Sequence, residues 1–340
     1  LDGVYLGKGQ GSIFDVVDLE RVEILRGPQG TLYGRNTLGG AINLISKKPS
    51  GAGTSSKLTI GNYGLKQAQL IGDYSLGENV FTKLVLNQKK RGGYVNNTDS
   101  PYQAAQGVVP NKTASHLELD TIDSEGMKFS VLFDGEDTSL NLSFDRTEQK
   151  NIPPFAQLTN TIPNWSSAFG VGASPLTGGL KLWPIEMFVN EKRQGVAHIN
   201  TQTLETSVVT GRSLTLTHSL GIGELKAIWS KRKVDWDDVL DLDGGPFPIA
   251  ETERHTKYDA ETLEIQLAGS TDSIEYVLGY YKLEDNAFTA NPQSFFGGGS
   301  VFAQNYSGSG DSEAFFGQIT WAIADKWDLT VGARSTEEDK

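Results

Sequence analysis

The stretch MKFSVLFDGEDTSLNLSFD, residues 127–145, decides the fold of this chain. On both sides of a short link at residues 135–137, apolar side chains occupy every second position. Met127, Phe129, Val131 and Phe133 alternate with Lys128, Ser130 and Asp134, and Leu140, Leu142 and Phe144 alternate with Ser139, Asn141, Ser143 and Asp145. Because successive side chains of a strand point to opposite faces, this spacing predicts two antiparallel strands, each with one apolar face.

The same pattern recurs from about residue 54 to the end of the chain, in about eleven segments. Short links and long polar links alternate between the segments. The short links lie near residues 77–79, 135–137, 221–223, 270–272 and 324–326, and the long ones span roughly 90–122, 148–211, 233–260 and 284–313. Tight turns at one rim and long loops at the other are typical of outer-membrane β-barrels.

A soluble β-sandwich or propeller is the alternative interpretation, since its strands also alternate. A sandwich explains the alternation but not four long loops at one end. The polar face is rich in Gln, Asn, Ser, Thr and charged residues, whereas the apolar face is nearly uninterrupted. Trp321 and Trp327 also bracket a short turn, where a membrane-interface aromatic girdle would lie. The pattern therefore favours a membrane barrel.

Composition excludes several classes of function. The 340 residues include no cysteine, which excludes disulfide frameworks and thiolate metal sites. A formal net charge of −12 argues against a nucleic-acid partner. Part of the excess acid lies in one run, which is either a solvated loop or a site for a divalent ion. That run contains Asp235, Asp237, Asp238, Asp241 and Asp243.

The first fifty residues differ in kind from the rest, because they are rich in glycine and lack long alternating segments. The string LERVEILRGPQGTLYGRNTLGGAINLISKKP, residues 19–49, resembles the plug-end signature of TonB-dependent receptors, in which ERVEVLRGP, LYG and GGAIN-type blocks recur in that order. DGVYL, residues 2–6, resembles the plug segment before that signature. LTVGARSTEEDK, residues 329–340, resembles a mid-barrel strand of the same receptors.

This resemblance implies a mainly β fold: a partial antiparallel transmembrane barrel preceded by the C-terminal part of a small α/β plug domain. Residues 1–50 are expected to be the end of the plug and residues 51–340 the N-terminal half of the barrel. Such receptors carry about 22 strands, so eleven would be half. The TonB-contacting segment is expected before Leu1 and the remaining strands after Lys340. Half a barrel has open edges and is not expected to insert or transport alone.

The resemblance also implies a function, which is energy-coupled uptake of a scarce solute across the bacterial outer membrane, with a ferric siderophore as the most frequent substrate. The implied partners are the TonB–ExbB–ExbD complex, outer-membrane lipid and lipopolysaccharide, and an iron chelate, around a monomeric barrel without a cofactor. A passive porin or adhesin is the alternative, but it lacks an N-terminal plug. No catalytic grouping or metal-ligand spacing is visible, so no enzyme is predicted.

Two sets of site residues follow from the resemblance. The loop after DGVYL should lie at the plug apex, where Tyr5, Lys8, Gln10 and Ser12 are candidate substrate contacts, although an ordinary glycine-rich turn is the alternative. The second set comprises plug arginines and barrel carboxylates of lumen-facing parity, which are expected to form ion pairs that lock the plug. These residues are Arg26, Arg35, Glu264 and Glu275.

Overall fold

The fold is taken from a computed structural model, which describes residues 1–9, 18–34, 37–98, 118–161, 172–173, 181–182, 188–246, 248–296, 298–324 and 326–340. The chain begins with an irregular segment followed by a small hairpin. Strands β1 (Leu19–Arg26) and β2 (Gly40–Ser46) pair antiparallel, with the one-turn helix α1 (Gly30–Tyr33) between them. Among the described residues, no helix is long and apolar enough to cross a membrane.

The rest of the described chain is dominated by one antiparallel sheet of eleven strands, which confirms the predicted number and fold class. Sheet neighbours follow one another along the chain. The strands are β3 (Gly53–Ile60), β4 (Lys66–Ser75), β5 (Val80–Arg91), β8 (Ile122–Asp134), β9 (Thr138–Asn151), β13 (Leu204–Leu220), β14 (Gly223–Asp241), β15 (Ala250–Ser270), β16 (Ile274–Phe295), β17 (Ser300–Ala324) and β18 (Trp327–Asp339). Each strand therefore forms a hairpin with the next, and short turns close alternate hairpins at one end.

Short strands lie within the long links at the other end of the sheet. β6 (Val95–Asn97), β7 (Glu118–Leu119) and β12 (Val196–Ala197) form a three-stranded sheet, and β10 (Gly172–Ala173) pairs with β11 (Lys181–Leu182). Val95, Leu119, Ala197 and Ile199 pack together as a small apolar core beneath these links. The long links thus carry some structure of their own.

Two predicted loops are mostly strand. The link predicted at 233–260 shrinks to residues 242–249, and the one predicted at 284–313 shrinks to residues 296–299, because the flanking strands continue pairing. The physical reason is that the outward face of these strand ends is mostly polar, whereas apolar residues such as Val234 and Trp236 point inward. The outward apolar face that marks the other strands ends there, although backbone pairing does not depend on it.

The apolar faces predicted by alternation all lie on the outer surface of the sheet, where they remain exposed. Phe129 is 42% exposed, Leu142 48% and Phe315 68%. Trp321 and Trp327 are also exposed on this side, next to the last short turn. An uninterrupted exposed apolar surface on strands of this length is what a lipid-facing barrel wall requires.

Candidate functional site between the N-terminal hairpin and the sheet

The hairpin β1–α1–β2 lies on the inner side of the sheet and contacts strands far apart in it. Asp18, next to β1, forms an ion pair with Lys83 on β5, whereas Gly34, which follows α1, lies against Arg334 on β18. Strands β5 and β18 are separated by seven strands in the sheet order. The sheet therefore curves around the hairpin, and its inward side chains form a lumen.

One contact between hairpin and sheet is a charged cluster at Asp2. Lys128, on the inner face of β8, places its Nζ 2.7 Å from Asp2 Oδ2 and donates to Ser46 Oγ at 2.8 Å. Asp2 also accepts the Ser46 backbone N–H at 2.8 Å and its hydroxyl at 2.7 Å. Burial alone would raise the pKa of Asp2, but Lys128 and the bonds from Ser46 outweigh it and lower that pKa. Asp2 is therefore a carboxylate that binds the buried Lys128.

A second contact ties the base of the hairpin to β4 and β5. Lys83 Nζ lies 2.7 Å from Asp18 Oδ2 and 3.8 Å from Asp73 Oδ2, and the lysine side chain is only 7% exposed. Asp73 in turn accepts the backbone N–H groups of Ser50 and Gly51, each at 2.8 Å. The segment that leads from the hairpin into the sheet is therefore fixed by carboxylates around one buried lysine.

A third buried pair lies within the wall beside the Asp2 cluster. Arg232 on β14 binds Asp145 on β9 through two nitrogens, at 3.2 and 2.9 Å. Strand β13 runs between them, and its Gly211 is the register partner of both residues. A Cβ at Gly211 would lie 2.4 Å from each side chain, so only glycine lets the pair close across the strand. With Asp2 and Lys128, the pair forms a line of alternating charge on the inner wall.

The N-terminal loop, residues 1–9, packs against an aromatic part of the same wall. Tyr5 lies against the apolar cluster that includes Trp236 and Tyr258, and Lys8 Nζ is 5.6 Å from the centre of the Tyr258 ring. The Tyr258 hydroxyl donates to Asp285 Oδ2 at 3.0 Å. A Cβ at Gly7 would lie 2.0 Å from that hydroxyl, so glycine permits the loop to approach the wall. An aromatic surface with a cation on it suits an aromatic anion.

A cavity of 690 Å³ separates α1 and β2 from the wall formed by β14 to β18. Its lining mixes aromatic and charged residues, among them Tyr33, Lys226, Glu264, Tyr281 and Arg334. The Arg334 guanidinium lies 5.8 Å from the Tyr281 ring centre. The hairpin thus fits the lumen tightly on the β5 to β9 side and loosely on the β14 to β18 side.

The comparisons with known proteins agree with this arrangement of a hairpin inside a curved sheet. The family model of the TonB-dependent Receptor Plug Domain matches residues 1–41. The catecholate siderophore receptor Fiu of Escherichia coli (strain K12) is 34% identical over 113 residues, which cover 31% of this chain and 14% of Fiu. These matches identify residues 1–41 as the plug domain of a TonB-dependent receptor.

Solved structures of such receptors share the fold. The ferric yersiniabactin uptake receptor FyuA from Yersinia pestis superposes with a TM-score of 0.64 at 13% identity, over 95% of this chain and 49% of FyuA. The ferripyoverdine receptor of Pseudomonas aeruginosa superposes with a TM-score of 0.65 at 16% identity, over 94% of this chain and 42% of that receptor. This chain therefore spans less than half the length of either structure.

Plug-domain siderophore receptors and the solved receptors of this fold are outer-membrane proteins, which places this chain in the outer membrane. The exposed apolar band then faces lipid, the short turns face the periplasm and the long links face the exterior. The family is one of transport receptors rather than enzymes. The hairpin and the N-terminal loop correspond to the part of the plug that the family model matches.

The predicted apex residues are only partly described. Tyr5 and Lys8 are half-buried against the inner wall, whereas Gln10 and Ser12 lie outside the described residues. Their role in binding substrate stays a prediction.

The second set of predicted residues consists of the plug arginines and the barrel carboxylates that were expected to pair with them. Arg26 is exposed and makes no ion pair with a described residue, and Arg35 lies outside the described part of the chain. Glu264 faces the lumen and lines the cavity, and Glu275 is exposed at the periplasmic end. The structure does not bring Arg26 to either carboxylate, so that pairing stays a prediction.

The described pairs have the opposite polarity, with carboxylates on the plug and lysines on the wall. A sequence signal for them existed, because Lys83 and Lys128 occupy inward positions of otherwise uncharged strand segments. The carboxylates that bind these two lysines could not be predicted from the sequence. Asp2 is 126 residues away from Lys128, and Asp18 is 65 residues away from Lys83.

Proposed function

We propose that this receptor takes up a ferric siderophore across the outer membrane, driven by the TonB–ExbB–ExbD complex. Residues 1–50 would be the end of the plug and residues 51–340 the N-terminal half of the barrel. The observation that carries the proposal is the N-terminal hairpin held inside the curved sheet by Asp2–Lys128 and Asp18–Lys83. A passive porin has no use for such a hairpin.

The nature of these contacts supports displacement of the plug. Buried ion pairs add little net stability, because desolvation of the charges offsets most of their attraction. When the plug moves, water can solvate Asp2, Asp18 and the two lysines, whereas an apolar interface would resist exposure. Polar locks of this kind hold the closed state in place and still allow a pulling force from the periplasm to open it.

Three observations support an iron chelate as the substrate. Fiu is named as a catecholate siderophore receptor, and the two solved receptors are named for ferric yersiniabactin and ferripyoverdine. In this chain, the wall above the plug carries Trp236 with Arg254 at 4.8 Å from its ring, and Tyr258 with Lys8 nearby. Cations beside aromatic rings suit an anionic ligand that carries aromatic groups.

Uptake by the full-length receptor tests this function. The gene is expressed in a strain lacking its own siderophore receptors, with and without TonB, and uptake of radioactive iron is followed for catecholate and hydroxamate chelates. We expect iron to enter only with TonB and the catecholate chelate to be preferred. Equal uptake in both strains would contradict energy coupling and favour a passive barrel.

Variants of the wall test the substrate site separately from coupling. Tyr258→Ala should weaken chelate binding to cells, because it removes the ring that lies beside Lys8. Phe129→Ala is the matched control, since Phe129 is an aromatic residue on the lipid-facing side of the same sheet. If both variants bind the chelate as the parent does, the aromatic wall is not the binding surface.

A further inference from the structure

At the extracellular ends of β14 and β15, two carboxylates face each other without a cation. Asp241 and Glu251 are register partners in the antiparallel pair and therefore project from the same face. In the described part of the chain, no Lys, Arg or His forms an ion pair with either of them. Like charges directly opposite one another repel, and burial strengthens the repulsion. A bound cation or a proton would relieve this repulsion.

A segment that precedes β13 covers the pair with further oxygen atoms. Asn200 Nδ2 donates to Glu251 Oε1 at 2.8 Å, and the Thr201 hydroxyl donates to the same oxygen at 2.6 Å. Asp241 accepts the Gly244 backbone N–H at Oδ1, 2.8 Å away, and also accepts hydrogen bonds from Thr201. The site is therefore richer in acceptors than in donors.

Two of these oxygens are buried without any partner. Asp241 Oδ2 and Asn200 Oδ1 accept no hydrogen bond, although Asp241 is only 5% exposed and Asn200 only 6%. Buried polar atoms are nearly always bonded, so each of these oxygens has free lone pairs for a water molecule or an ion. The amide geometry of Asn200 keeps its Oδ1 close to the nitrogen that bonds Glu251. Both orphan oxygens thus border the same carboxylate pair.

A third carboxylate shapes the turn around the pair. Asp243 accepts the backbone N–H groups of Gly245 and Ala250, each at 2.9 Å, and its two oxygens are therefore already used. These residues lie beyond the lipid-facing band, in the water-exposed extracellular part of the strands.

We propose that Asp241, Glu251 and Asn200 bind a calcium ion at the extracellular rim. Calcium prefers six to eight oxygen ligands in flexible geometry, including carboxylates and amide oxygens. The ligands of this site are two carboxylates and neutral oxygens. Many other metal sites use three or more acidic or histidine side chains instead. The ion would join the segment before β13 to the β14–β15 hairpin and so order this part of the extracellular wall. The site does not depend on the proposed substrate.

Calcium titration of the full-length receptor, purified in detergent and stripped with EGTA, tests the site. We expect one calcium ion per chain with a dissociation constant of about 1 mM or tighter, as in extracellular modules. The unfolding temperature should rise by about 5 °C at saturating calcium, and less with magnesium, which demands octahedral geometry. Absence of both binding heat and thermal shift would overturn the proposal.

Variants separate calcium from a bound proton. Asp241→Asn should abolish calcium binding, while Asp237→Asn, an exposed carboxylate on the same strand, should bind calcium as the parent does. Glu251→Gln serves as a second test if Asp241→Asn does not fold. A parent that is stabilised by lowering the pH from about 8 to 6 and gains nothing from calcium would show that protons satisfy the pair instead, which overturns the proposal.

Discussion

Lys231 and Arg232 are neighbours on β14, and they show how different the two faces of this wall are. Lys231 points outward and binds Glu261 at 3.0 Å, with both side chains more than 40% exposed. Arg232 points inward and binds Asp145 at 2.9 Å, with both side chains at most 8% exposed. An ion pair of a basic residue with a carboxylate therefore lies in water on one face and inside protein on the other. What a charge contributes depends on its face, and strand parity determines the face.

Loss of the inner pair should have the largest effect on stability. Asp145→Ala removes the carboxylate that binds the buried Arg232 guanidinium through two nitrogens, so we expect a loss of about 3–5 kcal/mol in the free energy of unfolding, measured by urea titration of the receptor in detergent. The double variant Asp145→Leu with Arg232→Met should recover most of it, because it removes both charges. A double variant as unstable as the single one would contradict this explanation.

A charge placed on the outer apolar band should have the next largest effect. Leu142 lies five residues from the periplasmic turn on the lipid-facing side, so Leu142→Arg should destabilise the barrel by about 2–4 kcal/mol. Gln88→Arg is the control, because Gln88 also points outward but faces Glu125 above the band. Folding yield into vesicles, read from heat-modifiable gel mobility, measures both. Equal yields would mean that Leu142 does not face lipid.

Lys128→Met tests whether inward charges hold the plug. Asp2 and Ser46 would lose their shared donor, at a cost of about 1.5–3 kcal/mol, and the N-terminal loop should detach more often. Cells should then become more sensitive to antibiotics too large for the intact outer membrane. Lys90→Met removes an exposed outward lysine bound to Asp123 and should leave sensitivity unchanged. Unchanged sensitivity in both variants would show that Lys128 does not hold the plug in place.

The outward face was largely predictable from the sequence, and the inward face was not. Lipid requires apolar residues along the whole band, so Phe129, Leu142 and Trp321 could be assigned from period two alone. Inward residues such as Lys128 meet partners on the plug or on other strands, and those contacts depend on the curvature of the sheet. Glu264, an inward position by strand parity, lines the lumen cavity. Local sequence contains no information on which distant carboxylate reaches which lysine.

The extracellular rim was mispredicted for a related reason. Beyond the lipid band, the outward face of a strand is mostly polar, so the outward apolar pattern that marks strands ends before the strands do. Residues 284–295 and 300–313 were therefore expected to be loop, although they pair along their whole length. The acidic run was seen, but the sequence does not distinguish exposed Asp237 from buried Asp241. Burial of Asp241 depends on the covering segment before β13.

That rim should respond to pH in the calcium-free receptor. The pKa of Asp241 is raised to about 7 and that of Asp243 to about 8, above the value of 3.8 expected when unfolded. A raised pKa adds stability that is complete below the unfolded value and is lost as pH rises through 7 to 8. The Gly244 and Gly245 amides should exchange hydrogen roughly tenfold more slowly at pH 6 than at pH 8, after correction for intrinsic rates. Faster exchange at pH 6 would reverse the sign and contradict the burial argument.

Loss of the outward ion pair between Lys231 and Glu261, next to Arg232, should have the smallest effect. Lys231→Gln removes an exposed pair whose charges water already solvates, so the free energy of unfolding should change by about 0–1 kcal/mol. The same urea titration that measures Asp145→Ala measures this variant, and the adjacent positions make the two directly comparable. Added salt should reduce the small loss of unfolding free energy caused by Lys231→Gln. The loss caused by Asp145→Ala should stay nearly unchanged, because ions screen only the exposed pair. Equal losses from the two variants would mean that both faces of β14 meet the same environment, and the lumen would then be as open to water as the outer rim.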